Sequence, residues 1–156
     1  MSEHEQAELR RLAEAVVAGP FLSLLGIQAD EIRRGFCRVR LHVEPKLLNV
    51  HGVIHGGAVF TLADVCAAVA MRSLGANVIT LQASINLVGT GNPGDDLVAE
   101  ANAVHLGRRT GVAQATVTNQ QNRIVATGNF TFVRLEGRGH DTLATMPAAS
   151  ESSSGG

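Results

Sequence analysis

The chain opens on an apolar pattern of helical period. Leu9, Leu12, Ala13, Val16 and Val17 stand at i, i+3, i+4, i+7 and i+8, one face of a helix over residues 3–18. Gly19-Pro20 stops that run. A short apolar segment, 21–25, leads to Gly26. From Ile27 the period becomes two. Cys37, Val39, Leu41 and Val43 alternate with Arg38, Arg40 and His42, as in a strand with one buried face. Arg34-Gly35 supplies the hairpin turn before this strand, and Pro45 ends it. A polar loop follows through Asn49, His51 and Gly52.

Residues 56–74 break the alternation. From Ala58 to Met71 the segment is apolar nearly all round, which predicts a helix enclosed on most sides. It is too short to cross a bilayer, and Gly75 is a natural stop. Four strand-like runs come next. In 78–88, Leu81, Ala83, Ile85 and Leu87 alternate with Thr80, Gln82, Ser84 and Asn86. Leu97, Ala99, Ala101 and Ala103 share a face in 97–106, as do Ala113, Ala115 and Val117 in 112–118. In 123–133 the shared face is Ile124, Ala126, Gly128, Phe130 and Phe132. Segments 89–94, 107–111 and 119–122 carry turn chemistry between the runs. The inward faces are rich in Ala and Gly, so a sheet can approach a helix closely. The pattern predicts an α+β architecture, a long apolar helix with an antiparallel sheet curled around it. The expected organisation is an N-terminal helix over 1–19, a domain over 20–135 and a tail over 136–156. The tail is rich in Ser, Gly and Ala, lacks periodicity and is expected to be disordered.

Composition narrows the function. With 156 residues, of which 45% are apolar and 17% charged, the chain suits one folded domain. Aromatics are 3%, without Trp or Tyr, which argues against a nucleic-acid module built on stacked rings. A net charge of −1 gives no pull toward nucleic acid or an anionic membrane. The N-terminus lacks the apolar core of a secretory signal, and no stretch is long enough for a membrane span. A cytoplasmic location is the expectation. Cys37 and Cys66 form no CxxC and read as buried core thiols. His51 and His55 are four apart in a loop without further ligands, so no metal is expected.

Asp64 is the chemical anomaly. It is the one ionisable side chain between His55 and Arg72, inside an apolar helix. A lone buried carboxylate is costly, so it must be paired, hydrogen-bonded, protonated or facing a cavity. It is either an Asp on a narrow polar stripe with Thr61 or a tuned base or nucleophile. His55-Gly56-Gly57 stands just before that helix. Two glycines at a helix start offer free N–H groups at the positive end of the dipole, a place for an oxyanion; they also suit a tight loop. Gly57 and Asp64 are seven residues apart, roughly 10 Å along a helix. They do not converge on one carbonyl within a chain, whereas two antiparallel helices about a two-fold axis bring them together. Asn49 fits orienting a water or capping a turn. Arg108-Arg109 fits a solvated turn or a phosphate contact. No GK[ST] loop and no G-x-S-x-G elbow is present.

The run Asn49-x-x-Gly52-x-x-His55-Gly56-Gly57-x-x-Phe60-x-Leu62-Ala63-Asp64 resembles the signature of the PaaI-type hotdog-fold acyl-CoA thioesterases. The resemblance covers roughly 20–135 and extends to Thr80 and to Ile124-Val125-Ala126-Thr127-Gly128. It implies a helix wrapped by an antiparallel sheet, a homodimer often paired into a tetramer, and hydrolysis of an acyl-CoA thioester without a cofactor. It implies Asp64 as base or nucleophile, the N–H of Gly56 or Gly57 as carbonyl polariser, and His55 and Asn49 as orienting groups. It places Thr80 near the attacking water, and Arg108 and Arg109 where coenzyme A phosphates are met. Two other readings remain beside it. A hotdog hydratase or dehydratase is expected to carry a His five residues after the Asp, where Val69 stands. A non-catalytic acyl-CoA-binding module is expected to lack the carboxylate.

Overall fold

The computed structural model describes residues 2–136. The tail expected to be disordered falls, from residue 137 on, outside the described residues. Helix α1 spans Glu3–Ala18 and α2 spans Pro20–Leu25. Strands β1 (Gln28–Arg33) and β2 (Phe36–His42) form a hairpin over Arg34-Gly35. A 3-10 turn at Pro45–Leu47 and a loop lead to α3, Gly56–Arg72. Strands β3 (Val78–Leu87), β4 (Asp96–Leu106), β5 (Thr110–Thr118) and β6 (Ile124–Arg134) complete the chain.

The six strands form one sheet in the order β1-β2-β4-β5-β6-β3, antiparallel throughout. The sheet curls around α3, which packs on strands from β1 to β6. This is the α+β arrangement that the periodicity predicts. Alanines make it possible: Ala99, Ala101, Ala113 and Ala126 are fully buried, and their small side chains let Leu62, Cys66 and Met71 of α3 sit close to the sheet. Cys66 Sγ donates to the carbonyls of Cys37 and Ala99, at 3.2 and 3.3 Å, and so ties the helix to β2 and β4. Both cysteines are free and buried, as expected of core thiols. Burial pushes the Cys66 thiol far up, out of reach of a nucleophilic role.

The structure departs from the simple pattern at several places, among them the following. The segment 21–25 closes into α2, because Pro20 pre-sets the first turn. In β3 the pairing with β6 shifts between Thr80 and Gln82. Leu81 is the extra residue of this bulge and is exposed, while Thr80 turns toward the helix with Val78, Ala83 and Ile85. The sequence pattern had put Leu81 on the inner face and Thr80 on the outer. A second shift, between Val117 and Thr118 on β5, makes Val125 the extra residue of β6. Val125 is buried and Ile124 exposed, against the expectation for Ile124. The carbonyl of Val125 accepts from both Val88 and Gly89, which fixes the end of β3.

Helix α3 is enclosed on most sides but not all. Phe60, Thr61, Asp64, Val65, Ala68 and Arg72 form a half-covered stripe at helical spacing. Helices α1 and α2 reach over part of this stripe, with Leu12, Val16 and Leu22 against the core. Among the described residues no helix is long and apolar enough to cross a membrane.

Candidate functional site

Asp64 lies mid-way along the open stripe of α3, half-buried. The Thr80 hydroxyl donates to its Oδ1 at 2.8 Å. The β3 bulge makes this bond, since it turns Thr80 inward. Burial pushes the Asp64 carboxyl above its ordinary value of 3.8, while the Thr80 hydrogen bond and, more weakly, the Arg72 charge pull it back. Among the described residues no cation comes within ion-pair distance of Asp64. The group is therefore one hydroxyl short of isolated, with Oδ2 outside that bond.

Asp64, Thr80, Thr61 and Arg72 are the polar side chains on the wall of a cavity of about 510 Å³. The rest of the wall is apolar, from α1 and α2 (Leu12, Val16, Leu22), α3 (Phe60, Val65) and β3. Thr61 spends its hydroxyl on the Gly57 carbonyl, at 2.9 Å. A mostly apolar hollow with a few convergent polar groups and a shifted acid is what a small-molecule site looks like.

His55 and Gly57 line a second, adjoining hollow of about 220 Å³ with Lys46, Leu48 and Ala58. His55 is the N-cap of α3, and its Nδ1 accepts from Gly57 N–H at 2.9 Å. That leaves Gly56 N–H as the helix-start donor without a partner among the described residues. Gly56 has little room: a Cβ there would stand 2.8 Å from Leu87 Cδ1. Asn49 holds the preceding loop, its side-chain oxygen accepting from His51 at 2.9 Å and Val53 at 3.4 Å. Of the two expectations for Asn49, the turn cap is what the geometry contains.

The sequence-predicted residues thus form two groups in one chain. Asp64 meets Thr80, and His55 meets Gly56-Gly57, with two turns of α3 between the groups. Arg108 and Arg109 sit in the β4–β5 hairpin, exposed. That hairpin precedes Gly111, which abuts Met71 near the C-terminal end of α3, away from the glycines at its start. Arg72 is the residue that sequence reasoning passed over. The clue was available: it closes the apolar run and lies on the same stripe as Asp64. Among the described residues no group of three or more His, Cys, Asp or Glu side chains has the arrangement of a metal site.

Comparison with known proteins settles the family. The thioesterase superfamily profile matches residues 51–126, which hold the loop, α3 and most of the sheet. The acyl-coenzyme A thioesterase PaaI of Escherichia coli K12 is 37% identical over 102 residues, covering 65% of this chain and 73% of that protein. The chain belongs to the thioesterase superfamily. Its fold is the superfamily's hotdog fold: the structure of E. coli PaaI, from the phenylacetic acid degradation operon, superposes with a TM-score of 0.79 at 32% identity, over 84% of this chain and 96% of that one. A Streptococcus mutans protein bound to acetyl CoA superposes with a TM-score of 0.70 at 37% identity, over 72% and 91% of the two chains. This superfamily member is a thioester hydrolase of the PaaI-like kind.

Proposed function

We propose that the protein hydrolyses an acyl-CoA thioester at a site shared between two copies of the chain, with Asp64 of one copy facing the Gly56 N–H of the other. The observation that carries this reading is the separation within one chain. The acid with its acyl-sized cavity and the helix start with its unspent amide lie eight residues apart on α3, about 12 Å along its axis. A two-fold axis beside α3 removes that gap twice over, giving two sites per dimer. Strand β3 supports the same assembly. It is a sheet edge ten residues long, with Ile79, Leu81 and Leu87 exposed on it and Val88 exposed just beyond its end, and such an edge calls for a partner.

In this mechanism the thioester carbonyl oxygen takes the Gly56 N–H, aided by the positive end of the helix dipole. Gly57 N–H is held by His55, so His55 acts by fixing the helix start. Asn49 shapes the loop that presents His55. Asp64 Oδ2 removes a proton from a water while Thr80 keeps the carboxylate turned toward it. The water oxygen adds to the carbonyl carbon, the tetrahedral oxyanion collapses, the C–S bond breaks and the CoA thiolate leaves with the proton. A raised proton affinity suits Asp64 to this general-base role more than to direct attack. The acyl chain fills the apolar cavity, and Arg108 and Arg109 meet the CoA phosphates. The thioester is activated already, so these groups suffice without a cofactor.

Complementation tests the shared site. Asp64→Asn and Gly56→Val are each expected to be inactive in free-thiol release from a panel of acyl-CoAs. Hybrid dimers of the two retain one site with both groups intact and regain turnover. Hybrids that stay inactive would place Asp64 and Gly56 in the same site of one chain and overturn the reading.

A further inference from the structure

The hydrolysis proposed above uses Asp64 and Thr80, and the cavity they share holds one more polar group that it leaves idle. Arg72 stands eight residues after Asp64 on α3, about 12 Å further along the axis. Its side chain is on the wall of the Asp64 cavity, at the far end of the stripe. A guanidinium carries five N–H donors and keeps its charge at any working pH. Here Nη2 donates to the Val78 carbonyl at 3.2 Å, and that is its one hydrogen bond among the described residues. Nε is buried with no hydrogen-bond partner among the described residues. Among the described residues no carboxylate lies within ion-pair distance of it. The other polar side chains of the wall are Thr61, Thr80 and Asp64, whose charge acts on Arg72 without forming an ion pair.

A half-buried permanent cation with most of its donors unspent is poorly placed for stability alone. Val78 uses one donor, and a Leu or Met would fill the same apolar wall without stranding an N–H. The arrangement makes sense if the missing acceptor arrives with the substrate. We infer that Arg72 is the specificity residue of the acyl cavity and that it selects an acyl group whose far end carries an oxygen acceptor. This rests on the thioesterase reading for the orientation of the substrate: carbonyl carbon at Asp64, acyl tail running along the stripe to Arg72. Hydroxyl and carboxylate oxygens share the required chemistry, with the carboxylate adding charge to the hydrogen bond. A plain alkyl tail leaves the guanidinium desolvated and unpaired, and a site that holds a buried polar group discriminates strongly against such a tail.

A matched series decides it. The probes are hexanoyl-CoA, 6-hydroxyhexanoyl-CoA and the CoA monothioester of adipic acid, which differ only at the sixth carbon. The wild-type enzyme is expected to favour at least one oxygenated member over hexanoyl-CoA by about tenfold or more in kcat/KM. Which of the two is favoured tells a neutral acceptor from an anionic one. In Arg72→Met the ratio is expected to fall to near one. Equal kcat/KM for all three in the wild type overturns the inference without recourse to any variant. A ratio that survives in Arg72→Met overturns it too, as does a parallel loss on all three with the ratio intact, since that is the mark of a scaffold residue. The same ratio is read in binding, by calorimetry of the three thioesters with the Asp64→Asn enzyme. If no thioester is turned over but the oxygenated tails bind more tightly through Arg72, the hydrolytic reading fails and the specificity residue stands.

Discussion

At the scale of single residues, Asp64 is where stability and chemistry oppose each other. The fold half-buries a carboxylate and gives it one hydroxyl as partner, so its carboxyl is pushed above 3.8. In the proposed mechanism the ionised form is the active one. The acid limb of kcat/KM should then fall at a pH above the ordinary Asp value, and turnover should hold on the alkaline side of it. Asp64→Asn should lower turnover by ~10²–10⁴, measured as thiol release. Stability should move the other way. A raised native value means that the folded chain binds its proton more tightly than the unfolded chain does. The wild type therefore loses stability as pH rises from the unfolded value through the native one, and the loss persists above it. Asn titrates in neither state, so thermal melting should show Asp64→Asn gaining on the wild type across that window. A constant difference at all pH values would mean that the group is not perturbed. His55 and Asn49 illustrate a different lesson. Both were legible as site residues from the motif, and the structure shows His55 Nδ1 accepting from the Gly57 amide and Asn49 Oδ1 from the His51 and Val53 amides, so both shape the helix start.

Among the elements, β3 decides the site. A simple two-residue period predicts Leu81 inside and Thr80 outside. The bulge reverses this, and only the reversal allows Thr80 to hold Asp64. No local signal in 78–88 marks the bulge, because Ile79-Thr80-Leu81 reads equally well in either register; the pairing with β6 imposes it. The far end of β3 is fixed by Val88 and Gly89 on the Val125 carbonyl. Gly89 is there because the backbones nearly touch: a Cβ would lie 2.7 Å from the Ile124 carbonyl oxygen, which cannot swing aside. Gly89→Ala should cost about 1–3 kcal/mol in denaturant unfolding. Gly56→Ala should cost less, since its obstacle is the tip of the Leu87 side chain, which has room to turn. Equal costs at the two positions would contradict this account of what crowds each one.

For the whole molecule, the open stripe of α3 and the bare edge of β3 lie on the same side of the fold, where the sheet ends. Ile79, Leu81 and Leu87 are exposed on that edge, and a second copy is its proposed cover. Sedimentation should find dimers or larger assemblies of even number. Leu81→Lys adds a charge at the exposed edge, a device that blocks edge pairing. It should shift the protein toward single chains and reduce thiol release in step. A monomer that retains full turnover would refute the shared site, whatever the role of Asp64.

The sequence by itself determined the helix, the strands and the family. The reason is that these follow from local periodicity and from a motif, 49–64, that lies on one continuous piece of chain. It singled out Asp64 because a charge in an apolar run is visible without any structure. What it could not determine is how distant pieces meet. The bulge at Leu81 arises from pairing with β6, which follows β3 only after β4 and β5, and the one at Val125 from the register of the β5–β6 hairpin. The cavity exists because α1 and α2 fold back over α3, bringing Leu12 and Leu22 to the side of Asp64. Arg72 reads in sequence as a helix end. Only in three dimensions is it a cation left on an apolar wall, since burial and missing partners are properties of what surrounds a residue, and those surroundings are assembled from the whole chain.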